Sequence, residues 1–431
     1  MNVPRVTAKS WFAAALILWS CGYSGPSHSA EITNVIDAFD GDKSWDGVFG
    51  IRYVHINRQS LVLREWTCVA PNPLCPDGSQ VLDTRQMAFS ESVNVLNIDL
   101  RAGLYKDLEF HMTLPIVVGW TSNLAHDTGV SGSNSLVDSA LITSLFSLPY
   151  TSPSRVGFGD MVMGLRYAPY HQSRDASYPS WVLGVEYLAP TGVVRTANQT
   201  GVGGAVHALS LFTAISRSFG VVEPYVEFKG ILRFPDPGGP FQNERVTQTL
   251  VSPGHTLSML LGSEFHVWHR PNDEGPYLSL DLGLVADYTF EGREFTELFD
   301  ALGSSGCSPG DGCSRTYYTR DLANGQQRKV NGITDVEQYG RYGAKVGLTY
   351  QPARYVKVRL GFDYWHTTSH YITFADAGVD IDGTRGVRGR NSQNLNEFNP
   401  FYNSSYDEYG RRFRVDDKNT YRVTFAIEGQ L

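Results

Sequence analysis

Alternation of apolar and polar side chains is the feature of this 431-residue sequence that most restricts its fold. From Gly47 onward, segments of roughly ten to fifteen residues alternate in this way. In the last of them Tyr421 and Val423 point one way, while Arg422 and Thr424 point the other. A period of two predicts a strand that has one face in an apolar medium and the other in a polar medium.

The connections between these segments are short and long by turns. The twelve candidate strands are Gly47–Arg58, Ala88–Gly103, Asp107–Val118, Gly157–Tyr170, Tyr178–Ala189, Gly204–Ser218, Val221–Phe234, Thr256–His269, Tyr277–Glu291, Val336–Tyr350, Tyr355–His370 and Lys418–Gly429. Transmembrane barrels have an even number of strands, short periplasmic turns and long outer loops. We therefore expect an all-β fold, namely a closed antiparallel transmembrane β-barrel of about twelve strands.

The N-terminus has the features of an export signal. Arg5 and Lys9 form a basic start, and the apolar core 11–19 is too short to cross a bilayer as a helix. We place cleavage near Ala30, with an uncleaved anchor and lipidation at Cys21 as the alternatives. The predicted organisation is a signal peptide at 1–30, a periplasmic lead-in at 31–46 and an outer-membrane barrel at 47–431.

Composition limits the classes of partner that the chain is expected to bind. A net charge of -8 gives no basic surface for nucleic acid. The mean hydropathy of -0.23 is compatible with a barrel, because alternation hides the lipid-facing side chains. We expect the outer membrane of a Gram-negative bacterium as the location. The expected partners are outer-membrane lipid and lipopolysaccharide, the barrel-assembly machinery and a small solute, and the sequence predicts no particular periplasmic partner.

Four of the five cysteines form two close pairs in long connections, Cys68 with Cys75 and Cys307 with Cys313. An even number of cysteines in an exported chain predicts disulfides. Zinc is the alternative, but neither pair has CxxC spacing or a flanking histidine. Each bridge would make an outer loop more rigid, and we expect no metal and no cofactor.

Charged side chains fall on the polar face of the predicted strands, where a hydrated lumen would solvate them. The predicted lumen lining consists of Arg52, Asp99, Arg101, Glu109, His111, Arg166, Glu186, Glu227, Lys229, Arg233, Glu264, Asp281, Asp287, Lys345, Lys357, Arg359, Asp363, Arg422 and Glu428. This set would either form an electrostatic filter around a pore or fill a narrow barrel with ion pairs. Because both signs are mixed, we expect no strong charge selectivity.

Aromatic residues cluster beside the short turns, which predicts an interfacial girdle on the outer face. They are Tyr105, Tyr170, Tyr178, Phe219, Tyr225, Trp268, Tyr277, Tyr350 and Tyr355.

Three further sets of residues are candidates for a functional role. Ser135–Phe146 has apolar residues at helical spacing, which predicts a loop helix that either gates the mouth or caps the rim. An acidic cluster at Asp37, Asp40, Asp42 and Asp46 lacks the spacing of a calcium loop and is expected to be part of a solvated lead-in. His207 and Ser210 lie three apart in a strand and point to opposite faces, so we expect no hydrolase and no enzyme.

Two stretches resemble known families. Gly157–Asp160, Gly164–Tyr167, Ser180–Tyr187 and Pro190–Gly192 resemble porin-like proteins of the meta-pathway type, distant relatives of the long-chain fatty acid transporter class. Asn34–Asp40 and His370–Gly378 resemble a group of uncharacterised outer-membrane barrels. The first resemblance implies uptake of aromatic compounds; the second implies location and fold only.

The resulting functional hypothesis is a channel or transporter for small solutes, hydrophobic or aromatic in the class that the resemblance implies. The alternative is a non-conducting barrel that anchors a complex at the cell surface or in the envelope.

Overall fold

The computed structural model describes residues 30–36, 46–68, 80–138, 144–241, 253–269, 276–305, 317–318, 328–353, 355–373, 403 and 405–430. Twelve long strands, numbered here β1 to β12, form its main sheet. They are Gly47–Cys68, Gln80–Tyr105, Leu108–His126, Met161–Tyr170, Ser180–Ala189, Val206–Ser216, Val222–Pro235, Thr256–His269, Tyr277–Thr289, Tyr339–Ala353, Val356–Thr367 and Phe413–Gln430.

Pairing between the first and last strands closes the sheet. Each barrel strand pairs antiparallel with its neighbours along the chain, and β1 also pairs with β12, for example Ile51 with Ile427 and Tyr53 with Phe425. No sheet edge is therefore left along the barrel wall. The prediction of a closed, antiparallel, twelve-stranded barrel is confirmed.

Short and long connections alternate around the barrel. The β2–β3 turn passes through Asp107, whose φ of 56° is left-handed, and the β6–β7 turn passes through Gly220 with a φ of 77°. Both ends of the barrel chain lie at the end that carries these turns, because Val48 pairs with Arg101 and with Gln430. In outer-membrane barrels this is the periplasmic end, and we use that name for it.

The outward face of the barrel is apolar. Ile51, Leu284, Phe362 and Ile427 are all exposed, and Leu284 reaches 65% exposure. A continuous exposed apolar surface of this kind is what a bilayer requires of a β-barrel. No helix in the described ranges is long and apolar enough to cross a membrane.

Three details of the sequence prediction differ from the structure. β1, β2 and β12 extend well past their predicted outer ends, because alternation is lost where a strand leaves the apolar medium although the pairing continues. Tyr225 and Tyr277 are not girdle residues: they share the inward parity of Glu227 and Asp281 on their strands. The flanks of Ser135–Phe146 form turns and bends rather than helix, and residues 139–143 lie outside the described residues.

The outer ends of the strands and the long loops share an apolar core. It contains Val62, Met87, Leu124, Val137, Leu145, Phe146, Leu298, Ala301, Leu302, Val330, Ile372, Tyr406, Phe413 and Val415. The short helix α1, Phe299–Gly303, contributes to this core. Cys68 is the last residue of β1, whereas Cys75, Cys307 and Cys313 lie outside the described residues, so both disulfides stay predictions.

Candidate functional site

A central cavity of about 520 Å³ lies inside the barrel. Its wall contains every predicted lumen residue except Arg233, Asp287 and Lys357. Twelve different strands thus bring side chains that are distant in sequence to one compartment. Alternation explains the arrangement, since each strand turns its polar face inward.

The three predicted lumen residues that do not line the central cavity lie closer to the ends of the barrel or are buried in its wall. Arg233 lines a second compartment toward the outer end, and Lys357 lines a third toward the periplasmic end. Asp287 is buried on β9 and accepts hydrogen bonds from Arg341 on β10, with Nε at 2.7 Å.

Ion pairs between adjacent strands neutralise much of the lining. Arg52 binds Asp99 through two hydrogen bonds of 2.9 Å. On the other side of β1, Arg422 of β12 holds Asp363 of β11, with Nε 2.7 Å from Oδ2. Bidentate and charge-assisted bonds of this type hold side chains in fixed positions, so the lining is a set of ordered dipoles rather than a field of one sign.

Residues 30–36, called the N-terminal plug below, lie inside the lumen. The segment begins with a 3₁₀ turn at Glu31–Thr33, and Thr33 is fully buried. Ile36 N–H donates to Glu109 Oε2 at 2.8 Å, and Arg101 Nη2 donates to the carbonyl of Asn34 at 3.1 Å. The sequence predicts a periplasmic lead-in at 31–46, and the structure places its residues 31–36 against the barrel wall. Asp37, Asp40 and Asp42 of the acidic cluster lie outside the described residues.

Glu31 joins the plug to two strands at once. Its carboxylate lies 2.5 Å from Arg359 Nη2 and 3.6 Å from Arg101 Nη1. Arg101 also binds Glu109, which is fully buried on β3. Arg359 also pairs with Glu428 of β12 at 2.9 Å, so the plug completes a charge network that includes both ends of the barrel chain.

Thr33 and Val35 complete the docking. The hydroxyl oxygens of Thr33 and Ser216 are 2.6 Å apart and both residues are buried. Val35 packs against Ala168, Val182 and Phe212 of the wall. Sequence reasoning missed this segment, although apolar residues at Val35 and Ile36 are a signal against full solvation.

An outer chamber of about 360 Å³ lies beyond the central cavity. Its wall combines aromatic and apolar side chains with a few charged ones: Asp160, Leu188, Val206, Ala208, Arg233, Phe241, Arg293, Glu294, Phe295 and Tyr339. Burial raises the pKa of Glu294, and neighbouring Lys418 and Arg233 only partly oppose this. A compartment of this size with mostly apolar walls and a few polar groups suits a small organic molecule.

A third cavity of about 340 Å³ lies on the periplasmic side of the plug. Plug residues Asn34 to Ile36 form one wall, and Asp46, Lys357 and Gln430 contribute to the rest. The described lumen thus has three compartments, with the plug between the central one and the periplasmic one.

Histidine and acidic side chains in the described ranges form close pairs but no metal site. Within the described ranges no group of three or more His, Cys, Asp or Glu could hold a metal ion. Two His–Asp pairs do form: His126 Nε2 lies 3.0 Å from Asp138, and His207 Nε2 lies 3.2 Å from Asp236. His207 also contacts the Tyr187 hydroxyl at 2.6 Å. Because His207 shares the outward parity of the exposed Leu211, it belongs to the outer surface.

Asp138 links several parts of its loop through hydrogen bonds. The residue also accepts a hydrogen bond from Leu148 N–H at 3.1 Å. The pKa of Asp138 is lowered: burial alone would raise it, but the hydrogen bonds from His126, Ser135 and Leu148 outweigh that effect.

Comparison with known proteins gives outer-membrane barrels. An outer membrane channel from Pseudomonas putida F1 is 9% identical, with a TM-score of 0.45 over 94% of this chain and 100% of that one. A TodX monoaromatic hydrocarbon channel mutant is 9% identical, with a TM-score of 0.34 over 97% and 93%. A FadL homologue from Pseudomonas aeruginosa is 8% identical, with a TM-score of 0.31 over 90% of each chain. No protein-family model matches the sequence, and a search of curated proteins finds no match.

Proposed function

We propose that the protein is an outer-membrane channel for small solutes, and that the N-terminal plug must shift for a solute to pass. The observation that carries this proposal is the series of three compartments inside a closed barrel, with residues 30–36 between the central cavity and the periplasmic one. Export by the predicted signal peptide and residence in the outer membrane belong to the same proposal.

Small hydrophobic or aromatic molecules are the proposed solutes. The outer chamber supports this choice, because Phe241, Phe295 and Tyr339 offer aromatic surface beside a few polar groups. The central cavity is ionic, but its ion pairs are satisfied within the wall, so a neutral solute need not break them. Cells with and without the protein should differ in uptake of a labelled monoaromatic compound more than in uptake of a sugar of similar size.

A non-conducting scaffold is the second candidate. The observation in its favour is the plug itself, which binds both the β2–β3 pair and β11 through Glu31, Arg101 and Arg359. A scaffold would use the long outer loops as its binding surface and would keep the lumen closed.

Single-channel recording separates the two candidates. Deletion of residues 32–36 should produce steady openings larger than any in the unmodified protein, because the contacts of Ile32, Thr33 and Ile36 are lost. Asp363→Asn is the matched control, since it alters the lining without touching the plug and should leave the openings near those of the unmodified protein. A silent deletion variant in a correctly folded barrel would rule out the channel and favour the scaffold.

The absence of enzymatic activity is also part of the proposal. It is supported by the two His–Asp pairs, one of which lies on the outer surface while the other orders a loop. Hydrolysis of a fluorogenic ester or peptide by the purified barrel, abolished by His126→Ala or His207→Ala, would contradict it.

A further inference from the structure

Two acidic side chains lie directly opposite each other in the barrel wall. Glu223 on β7 and Glu264 on β8 are paired in the strand register. Glu223 is fully buried and Glu264 is 7% exposed. Like charges at directly opposed positions destabilise a sheet, and burial increases the cost. A positive charge close to both carboxylates would offset this repulsion.

The described residues supply little positive charge at this place. Within the described ranges no Lys or Arg forms an ion pair with Glu223 or Glu264. The basic group that pairs with Glu223 is His266, whose Nε2 lies 3.7 Å from Glu223 Oε2. Glu223 Oε2 is buried without a hydrogen-bond partner. Glu223 Oε2 can therefore accept a further hydrogen bond.

Two successive main-chain nitrogens lie within hydrogen-bond distance of the Glu223 and Glu264 carboxylates. Ala30 N is 2.5 Å from Glu223 Oε1, and Glu31 N is 3.1 Å from Glu264 Oε2. Ser216 Oγ donates to the same Glu223 oxygen at 2.5 Å. Ala30 itself is fully buried. These are the two nitrogens that flank the predicted cleavage point of the export signal.

We propose that Glu223 and Glu264 form the binding site for the α-ammonium group that signal removal creates at Ala30 or Glu31. A peptide N–H offers one hydrogen and no net charge, whereas an α-ammonium offers three hydrogens and a positive charge. It would satisfy both carboxylates, including the Oε2 atom that has no hydrogen bond. Charge-assisted bonds to a buried carboxylate are stronger than those of a neutral amide.

Docking of the plug then depends on processing of the chain. A chain that kept its signal would present an uncharged amide to two opposed carboxylates and would hold the plug less firmly. Processing thereby completes the charge network of the lumen. This inference does not rest on the proposed transport function, since a scaffold could be closed in the same way.

The first test is the N-terminus of the protein purified from membranes. Intact mass and N-terminal sequencing should place it at Ala30 or Glu31. A mature chain that begins anywhere else would overturn the proposal, because no α-ammonium would then lie at the two carboxylates.

The second test measures protection of the α-amine. An amine reagent near neutral pH, with the product located by mass spectrometry, should label the α-amine of the folded protein slowly. In the double variant Glu223→Gln/Glu264→Gln, labelling should rise roughly tenfold or more, as expected for loss of hydrogen bonds to a charged group. Glu227→Gln is the matched control, a lumen carboxylate on β7 for which no contact with the plug is found among the described residues, and it should leave labelling unchanged.

Two results of that experiment would overturn the proposal. One is an α-amine that is as reactive in the folded protein as in the denatured protein. The other is equal protection in the double variant and in the unmodified protein. If the double variant does not fold, the single variant Glu264→Gln and Ser216→Ala are measured in the same way, and both should raise the labelling rate.

Discussion

At the scale of single residues, buried ionisable groups make the stability of the outer loops depend on pH. Asp407 accepts a hydrogen bond from Asn403 N–H at 2.7 Å and is 4% exposed. Its pKa is raised well above the ordinary value, because burial removes the carboxyl from water and Asp335 lies nearby, while Arg293 opposes this only in part. Because the pKa of Asp407 is raised in the folded state, its contribution to the free energy of unfolding is complete below the ordinary pKa of the carboxyl group. It is lost as the pH rises through the folded value.

Asp407→Asn should therefore stabilise this loop near neutral pH. The amide imitates the protonated acid, and each unit of pKa difference corresponds to about 1.4 kcal/mol. We expect a gain in the free energy of unfolding of the loop at neutral pH and none below the ordinary carboxyl pKa of about 3.9. Hydrogen exchange of residues 405–415, corrected for the intrinsic rate at each pH, measures the effect. The half-buried neighbour Glu408→Gln is the control; a gain that does not change with pH would contradict the explanation.

At the scale of the elements, strand-to-strand packing in the wall depends on glycines beneath Tyr225. The Tyr225 hydroxyl donates to Asp281 at 2.6 Å, and a Cβ at Gly262 would lie only 2.3 Å from that hydroxyl oxygen. The tyrosine thus lies flat across β8 and β9 because these strands have no side chain at the crossing point. This is also why Tyr225 is absent from the girdle.

Gly262→Ala should destabilise the barrel by roughly 1–3 kcal/mol, the usual cost of overpacking. Gly230→Ala is the matched control, since its Cβ would lie 3.7 Å from the nearest atom, Leu257 Cδ2, and should cost much less. Urea unfolding in lipid vesicles, followed by tryptophan fluorescence, compares the two. Equal midpoints for both variants would show that the Tyr225 packing does not limit stability.

At the scale of the whole molecule, the barrel could be predicted from the sequence and the position of the plug inside it could not. Thr256–His269 was predicted with the bounds that the structure has, because alternation and turn residues are local signals. The position of Glu31 depends on Arg359, which comes from the far end of the chain, and no local pattern carries that information. The outer ends of β1 and β12 were missed because pairing beyond the bilayer needs no alternation.

The most direct test of the account is a reversible covalent bond between the plug and the wall. Because the hydroxyl oxygens of Thr33 and Ser216 are 2.6 Å apart, Thr33→Cys/Ser216→Cys places two sulfur atoms where a disulfide can form. Solute passage, measured as single-channel current with uptake of the labelled monoaromatic compound, should be blocked in the oxidised double variant and restored by reduction. The two single variants should not respond to reduction. Equal passage before and after reduction, with the bridge verified by mass spectrometry, would contradict the claim that residues 30–36 close the lumen.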